Sequence, residues 1–187
     1  VVAATCGVRA AAPGAAGSGG AGGRWNAGRE KDARRMQTHV SETKAAASVT
    51  AEELDRMIEA ADKAKANAYA PYSNFRVGAA LLATSGEVVS GCNVENSSYG
   101  LSNCAERTAV FKAAAQGLRA FRAIVVTSDL TGVFTYPCGA CRQVLSEFGN
   151  MDVVCLQPNG HTSRTTLREL LPHAFSKDDL DEAQEQK

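Results

Sequence analysis

Two short cysteine motifs constrain this chain more than any other feature of its sequence. The segment NCAER at 103–107 places Cys104 two residues before Glu106, and PCGAC at 137–141 carries Cys138 and Cys141. Three thiolates can hold Zn²⁺ and leave its fourth tetrahedral position open, which is the ligand count of a catalytic rather than a structural zinc site. The fold must therefore bring two distant segments to one metal position.

Two other uses of these cysteines compete with a catalytic site. A structural zinc site needs a fourth protein ligand, for which Cys92, Cys155 and the three His remain. Both Cys lie in predicted strands, where a buried thiol more often acts as a small apolar side chain. A lone Cys-x-x-Cys would also suit a redox site. The pairing of Cys-x-Glu with Pro-Cys-x-x-Cys, each opening a predicted helix, favours catalysis over both.

Composition excludes several classes of protein. The 187 residues are 44% hydrophobic and carry zero formal net charge, which is typical of one globular domain. Without a basic balance there is no electrostatic footprint for nucleic acid, and no apolar run approaches the length of a membrane span. The six Cys come without a secretory apolar region, so a reducing compartment is more consistent with them than a disulfide framework.

The N-terminal quarter differs from the rest of the chain. Residues 1–48 are rich in Ala and Gly, and we expect a disordered low-complexity extension followed by a folded domain at 49–180 and a flexible acidic tail at 181–187. The extension carries Arg but no acidic residue before Glu30, as organelle transit peptides do. Because a reducing compartment suits the six Cys, we expect a cytosolic protein; import into an organelle, directed by this extension, is the alternative.

The first half of the domain alternates helical and extended patterns. Thr50 and Glu53 have capping-box spacing, and the helix they open should end before Pro71. Its apolar residues recur at helical spacing and predict a buried face: Leu54, Met57, Ile58 and Ala61. Apolar runs predict strands at 77–83 and 88–95. A second helix should run from about Cys104 to Gln116, with Ser102 or Asn103 as N-cap and Gly117 at its end.

The second half continues the alternation. A strand at 123–127 leads to a third helix, with Pro137 as its first residue and Gly149 at its end. A strand at 152–157 and an Asn-Gly turn predict an antiparallel fifth strand at 161–164, and Thr166 should cap a last short helix that ends at Pro172. The buried stripe of the third helix comprises Cys141, Val144, Leu145 and Phe148. The fold class is α/β: a three-layer α/β/α sandwich whose mixed five-stranded sheet has an antiparallel last strand.

The position of the three cysteines at helix starts has a chemical reason. A helix N-terminus carries partial positive charge and free N–H donors, which lower a thiol pKa. Three thiolates carry one more negative charge than Zn²⁺ neutralises, and Arg107 is placed to offset part of it by donating to ligand sulfurs. Glu106 is then the group that takes a proton from the attacking water and returns protons to a ring nitrogen and a leaving amine.

These residues resemble the cytidine deaminases of the small homotetrameric type. Zn²⁺ held by three Cys, with a Glu that is not a ligand, is the arrangement described for zinc deaminases in general. Five blocks match in order from about Leu54 to Leu180: APYSNFRVGAA at 70–80, GCNVEN at 91–96, NCAERTA at 103–109, PCGACRQ at 137–143 and ELLPHAF at 169–175. The extension lies outside the match.

The resemblance implies a function and a set of site residues. It implies hydrolytic deamination of cytidine and deoxycytidine to uridine and deoxyuridine in pyrimidine salvage. It implies a small nucleoside as substrate, no nucleic-acid or membrane partner, and a homotetramer with sites at subunit interfaces. The implied residues are Cys104, Cys138 and Cys141 as zinc ligands, Glu106 as catalytic proton shuttle, Asn93, Glu95, Phe75, Ala105 and Phe175 as substrate contacts, with Phe175 supplied by a neighbouring subunit, and Arg107 and Gln143 as supporting residues.

Three other functions would use similar chemistry or the same metal. Deamination of bases within RNA or DNA is disfavoured by the zero net charge and by the tight turn at 158–160, where the resemblance implies that polynucleotide deaminases insert a helix. A different aminopyrimidine substrate is disfavoured by Asn93 and Glu95, which match ribose contacts. A non-enzymatic zinc-stabilised interaction domain is disfavoured by the intact Glu106.

Overall fold

The computed structural model of the chain describes residues 48–185. The extension expected at 1–48 therefore lies outside the described residues apart from Ser48, as do the last two residues of the expected tail. The elements in chain order are α1 Ala51–Ala66, β1 Val77–Ala83, β2 Val88–Cys92, a 3₁₀ turn Tyr99–Leu101, α2 Ala105–Ala115, β3 Phe121–Ser128, α3 Gly139–Ser146, β4 Asp152–Leu156, β5 Thr162–Thr166, α4 Leu167–Leu170 and α5 Lys177–Glu185.

The five strands form one mixed sheet in the order β2-β1-β3-β4-β5. β3 and β4 run parallel, with α3 in the connection between them, and the other neighbouring pairs run antiparallel. The short turn at 158–160 leaves no room for a crossover, so β5 returns antiparallel to β4. The predicted sheet and its antiparallel last strand are confirmed.

The helices cover both faces of this sheet, as the three-layer prediction requires. On one face Met57 and Ala61 of α1 pack against Ala80, Leu82 and Val125. On the other face α2, α3 and α4 pack against the alternate residues of the same strands. That second cluster includes Ala79, Leu81, Ile124, Val126, Val153, Ala109, Val110, Leu145 and Leu167. Because β1 and β3 are buried on both faces, they read as continuous apolar runs rather than alternating ones.

Several predicted helix ends are confirmed. The Thr50 hydroxyl accepts from Glu53 N and the Glu53 carboxylate accepts from Thr50 N, which completes the capping box of α1. Thr166 and Glu169 form the same box at α4. Gly117 and Gly149 follow α2 and α3 with φ of 87° and 91°, a backbone that residues with a side chain rarely adopt.

The N-terminal ends of α2 and α3 differ from the prediction. Cys104 is the N-cap of α2, not Ser102 or Asn103, and Cys138 is the N-cap of α3, so Pro137 precedes the helix instead of opening it. Neither Cys makes a side-chain capping bond. Their extended backbones instead direct both sulfurs to a shared position, and this tertiary requirement overrides the usual preference for Ser or Asn at an N-cap.

Two other boundaries also differ. β2 ends at Cys92 rather than Glu95, and Val94 forms isolated bridges to Tyr69 and Asn103. Asn93 and Glu95 therefore follow the strand and do not share one of its faces. Residues 181–185, expected as part of a flexible tail, belong to α5, Lys177–Glu185, none of whose described residues is buried.

Two glycines allow helices to approach the sheet closely. A Cβ on Gly78 would lie 2.0 Å from the Ala61 carbonyl oxygen of α1, and a Cβ on Gly91 would lie 2.5 Å from the Ala109 nitrogen of α2. Any side chain at Gly91 would displace the helix that carries Cys104 and Glu106. The lack of a side chain at Gly91 therefore determines how closely α2, and with it the site, packs against the sheet.

Candidate metal centre and substrate pocket

Three sulfurs meet where α2 and α3 begin. Cys104 Sγ lies 3.8 Å from Cys138 Sγ, which lies 3.5 Å from Cys141 Sγ, and all three lie within 4.8 Å of one another. For a Zn–S bond of about 2.3 Å, sulfurs at tetrahedral corners are separated by about 3.8 Å. The spacing and the soft thiolate donors therefore fit Zn²⁺.

Within residues 48–185 no fourth side chain joins this cluster. Cys92 Sγ lies 3.5 Å from the carbonyl oxygen of Asn67, and Cys155 is fully buried among apolar residues of the sheet. Of the fourth-ligand candidates considered above, Cys92 and Cys155 are thus placed elsewhere. Three protein ligands leave one coordination position for chemistry, which weighs against a purely structural zinc site.

Cys104 is the thiol that its surroundings favour as a thiolate. The pKa of Cys104 is lowered to about 5, chiefly by a hydrogen bond from Cys141 and further by Arg107 and Cys138. The pKa of Cys141 is raised because it donates that bond and is buried. As expected, Arg107 reaches a ligand sulfur: its Nη2 donates to Cys104 Sγ at 3.5 Å and to the Ser102 carbonyl oxygen at 3.3 Å.

Glu106 occupies a nearly dry position beside the sulfurs. It is the second residue of α2, and only 4% of its surface is exposed. Its pKa is raised to about 7, first by burial and further by the negative charge of Cys104. A carboxyl group whose pKa lies near neutrality can both accept and donate a proton under physiological conditions.

A pocket of about 260 Å³ opens beside the sulfurs and collects most of the predicted site residues. Two of the three cysteines and Glu106 are among its lining residues. It is lined by Phe75, Val77, Asn93, Glu95, Ser102, Asn103, Cys104, Ala105, Glu106, Thr135, Tyr136 and Cys138. Four of the five predicted substrate contacts therefore line one pocket together with the candidate metal ligands.

Asn93 and Glu95 contact the loop before β1 as well as the pocket. Asn93 Oδ1 accepts from Val77 N and its Nδ2 donates to the Phe75 carbonyl oxygen, both at 2.8 Å. Glu95 Oε2 accepts from Tyr72 N at 2.9 Å and from Ser73 N at 3.2 Å. These two side chains thus fix the backbone around Phe75 while they face the pocket.

Phe175 and Gln143 lie outside the pocket lining. Gln143 Nε2 donates to the Phe175 carbonyl oxygen at 2.7 Å, and Gln143 Oε1 accepts from Phe175 N at 3.3 Å. The Phe175 side chain is 59% exposed. Gln143 therefore fixes the backbone of Phe175, which is not among the residues that line the pocket of its own chain.

Sequence reasoning missed one wall of the pocket. Thr135 and Tyr136 precede the ligand segment and line the pocket. The Tyr136 hydroxyl lies 2.7 Å from Ser163 Oγ, and Thr135 Oγ1 lies 2.6 Å from Ser128 Oγ. Their position directly before Pro137 was the available signal. Their partners on β3 and β5 could not be read from local sequence.

Comparisons with known proteins agree with this site. The family model for the cytidine and deoxycytidylate deaminase zinc-binding region matches residues 51–157. The probable cytidine deaminase of Dictyostelium discoideum is 52% identical over 129 residues, which are 69% of this chain and 88% of that protein. The cytidine deaminase of Sporosarcina psychrophila is 51% identical over 136 residues, covering 72% of this chain and 99% of that protein.

Solved structures agree as well. The crystal structure of cytidine deaminase from Burkholderia pseudomallei shares 53% identity and a TM-score of 0.62, over 65% of this chain and 98% of that one. The structure from Mycobacterium tuberculosis shares 41% identity and a TM-score of 0.55. The region that the family model matches, residues 51–157, contains both cysteine motifs, Glu106 and the strands β1 to β4. The chain belongs to the cytidine deaminase family.

Proposed function

We propose that this protein hydrolyses cytidine and deoxycytidine to uridine and deoxyuridine with release of ammonia, and that Glu106 is its catalytic proton shuttle. One observation carries the proposal. Three sulfurs at the spacing of a tetrahedral zinc site leave one position open, and the pocket beside them contains a buried carboxyl group. Bound Zn²⁺ supplies a Lewis acid that makes water nucleophilic near neutral pH.

Glu106 moves the protons of the reaction. Its carboxylate takes a proton from the water that adds to C4 of the pyrimidine, and it delivers that proton to the adjacent ring nitrogen N3. It then takes the second proton from the added oxygen and gives it to the exocyclic amine, which leaves as ammonia. Burial of Glu106 supports this role for two reasons. It removes competing water, and it raises the pKa of the carboxyl group to a value at which the group can both accept and donate a proton.

Cys104, Cys138 and Cys141 would hold the metal, and Arg107 would offset part of their charge. The guanidinium donates to the Cys104 sulfur, so it withdraws electron density from a set of three anions around a divalent cation. The N-terminal ends of α2 and α3 act in the same direction. Less negative charge at the ligands leaves the metal a stronger Lewis acid.

The pocket lining supports an unphosphorylated nucleoside as the substrate. Asn93 and Glu95 present an amide and a carboxylate for ribose hydroxyl groups, Phe75 offers an aromatic face, and the Ala105 backbone lies beside Glu106 to contact the pyrimidine edge. The lining contains two carboxyl groups and no Lys or Arg. A phosphate group would therefore meet repulsion rather than a counter-charge, which disfavours nucleotides and polynucleotides.

An ultraviolet assay with four substrates tests this function. Purified zinc-loaded protein should turn over cytidine and deoxycytidine, while deoxycytidine 5′-monophosphate and a cytosine-containing oligonucleotide should react at least about a hundredfold more slowly at equal concentration. A zinc count of one per chain should accompany activity. Preference for the monophosphate or the oligonucleotide, or activity without metal, would contradict the proposal.

We also propose a homotetramer in which Phe175 completes the pocket of a neighbouring subunit. The ring is exposed, lies outside its own pocket, and has its backbone fixed by Gln143, as expected of a group presented to another chain. Large apolar side chains that are close in sequence to pocket residues are also exposed: Tyr72, Tyr99 and Leu101 are 48%, 74% and 72% exposed. Light scattering on the purified protein should give four times the chain mass, and a monomeric active enzyme would contradict this arrangement.

The cellular setting remains part of the proposal. Residues 48–185 include no helix with both the length and the apolar character for crossing a bilayer. Thiol ligands are best maintained in a reducing compartment, so we propose the cytosol, with organelle import through residues 1–48 as the alternative. A fluorescent fusion of the full chain would distinguish the two locations.

We propose residues 49–180 as the catalytic domain.

A further inference from the structure

A single hydroxyl group connects two side chains of the pocket. Ser73 lies in the loop before β1, and its Oγ accepts a hydrogen bond from Phe75 N at 3.0 Å while donating to Glu95 Oε1. Phe75 and Glu95 both line the pocket, whereas Ser73 does not. The Ser73 hydroxyl therefore hydrogen-bonds to two lining residues although Ser73 does not line the pocket itself.

The bonds to Glu95 leave its carboxylate little freedom. A carboxylate has about four acceptor positions, and three are occupied: by Tyr72 N and Ser73 N on Oε2 and by the Ser73 hydroxyl on Oε1. The remaining position lies on Oε1, beside the Ser73 bond. The Ser73 hydroxyl also lowers the pKa of Glu95, so the group stays an ionised acceptor.

The bonds to Phe75 hold the backbone on both sides of that residue. Its N–H donates to Ser73 Oγ, and its carbonyl accepts from Asn93 Nδ2 at 2.8 Å. The preceding Asn74 has a φ of 55°, in the left-handed region that Asn tolerates better than most residues with a side chain. The loop thus turns sharply between Ser73 and Phe75, and the Ser73 hydroxyl closes the turn.

We propose that Ser73 is a positioning residue for nucleoside binding, which acts by aiming the free acceptor of Glu95 at a ribose hydroxyl and by fixing the Phe75 ring. This inference rests on the proposed function, since it assigns Glu95 to the ribose of the substrate. Ser73 touches neither the metal ligands nor Glu106 in the described hydrogen bonds. Its loss should therefore weaken binding while leaving the proton transfers intact.

Steady-state kinetics on zinc-loaded variants tests the inference. Ser73→Ala should raise the KM for cytidine about fivefold with kcat within twofold, since one charge-assisted hydrogen bond is lost. Ser73→Thr retains the hydroxyl and should restore a KM close to wild type. Ser85→Ala, in the β1–β2 turn, is the matched control and should change neither constant.

Two further measurements separate positioning from a general effect on folding. The Kd for the product uridine, measured by calorimetry, should rise for Ser73→Ala by about the same factor as KM. In a double-mutant cycle, adding Ser73→Ala to Glu95→Gln should raise KM by less than it does in the wild type, because part of its effect passes through Glu95. The melting temperature of each variant shows whether the fold is intact, and Ser73→Cys, a weaker donor, serves if the Ala variant does not fold.

The outcomes distinguish this inference from the proposed function. An unchanged KM and uridine Kd in Ser73→Ala, a fall in kcat alone, or full additivity with Glu95→Gln would overturn the role of Ser73 and leave the deaminase function standing. Absence of cytidine and deoxycytidine turnover by the wild type would overturn the proposed function, and the role of Ser73 with it.

Discussion

Glu106 differs from an ordinary surface carboxylate because of where α2 begins. The N-cap is Cys104, so Glu106 is the second helical residue and is carried inward beside the sulfurs, where its pKa rises to about 7. A separation of two positions between a ligand and a carboxyl group is enough to place both in one pocket. The Cys-x-Glu spacing thus predicts that the carboxyl group and the candidate metal ligand line the same pocket.

Glu106→Gln should retain zinc and the fold while kcat falls at least about a hundredfold. The amide has nearly the same shape but cannot accept and return a proton. Ultraviolet turnover of cytidine and a zinc count measure the two effects separately, and Glu87→Gln, at an exposed position between β1 and β2, is the matched control. Near-wild-type turnover would remove Glu106 from the mechanism.

Arg107→Ala should lower kcat by roughly ten- to hundredfold, a range typical for loss of a group that hydrogen-bonds a metal ligand. The sulfur of Cys104 would lose the donor at 3.5 Å, and the ligand set would become more negative. Arg107→Lys keeps a positive charge and should recover part of the rate, while the exposed Arg119→Ala should have no effect. An unchanged rate in Arg107→Ala would mean that the helix N-termini offset the charge alone.

The two motifs could be predicted because Cys104 with Glu106, and Cys138 with Cys141, are each close in sequence, whereas the surroundings of the site could not. Arg107 could be placed near a sulfur because the two residues lie one helical turn apart. Thr135 and Tyr136 depend on partners on β3 and β5, so nothing in their own neighbourhood indicates that they line the pocket. The double use of Asn93, for the backbone and for the pocket, is likewise a tertiary property.

At the scale of the elements, periodicity predicted the helices and strands well and failed where the site intervenes. Both capping boxes and both glycine ends followed local chemistry. The N-caps of α2 and α3 did not, since sulfurs directed to a metal replace the hydroxyl or amide expected there. β2 ends at Cys92 because the chain beyond it pairs with other segments, where Val94 bridges to Tyr69 and Asn103.

Gly91→Ala should reduce the free energy of unfolding by about 1–3 kcal/mol and lower activity as well. Its Cβ would lie 2.5 Å from Ala109 N and 2.9 Å from the Ala105 carbonyl oxygen, so α2 must move together with Cys104 and Glu106. Gly100→Ala meets nothing within 4 Å and is the control. Denaturant unfolding and kcat should both be unchanged in the control, and a stable, fully active Gly91→Ala variant would contradict the close approach of α2.

At the scale of the whole molecule, the sheet separates two apolar clusters, and the site belongs to one face. The α1 face contains Met57 and Ala61, while the opposite face carries α2, α3 and the cysteines. This division followed from the strands that are apolar on both faces. Periodicity predicts no quaternary arrangement, because no local pattern shows which exposed apolar residues another chain would cover.

Deletion of residues 1–48 should leave activity and the melting temperature of the domain unchanged. The family match begins at residue 51, and the chain covers 99% of a relative with only 72% of its own length. The truncated chain retains Thr50, the N-cap of α1. Cytidine turnover and thermal unfolding of the two forms provide the comparison, and an inactive truncated form would show that the extension takes part in folding or catalysis.

Cys104 and Cys138, separated by 34 positions, place their sulfurs 3.8 Å apart on different helices. A cation shared by them closes that length of chain into a ring, as a covalent cross-link would, and so restricts the ensemble available after denaturation. The ion is then part of the folding equilibrium as well as of the chemistry. The melting temperature should accordingly climb with the concentration of free Zn²⁺ in a buffered titration, and should do so even for a protein in which Glu106→Gln has abolished turnover.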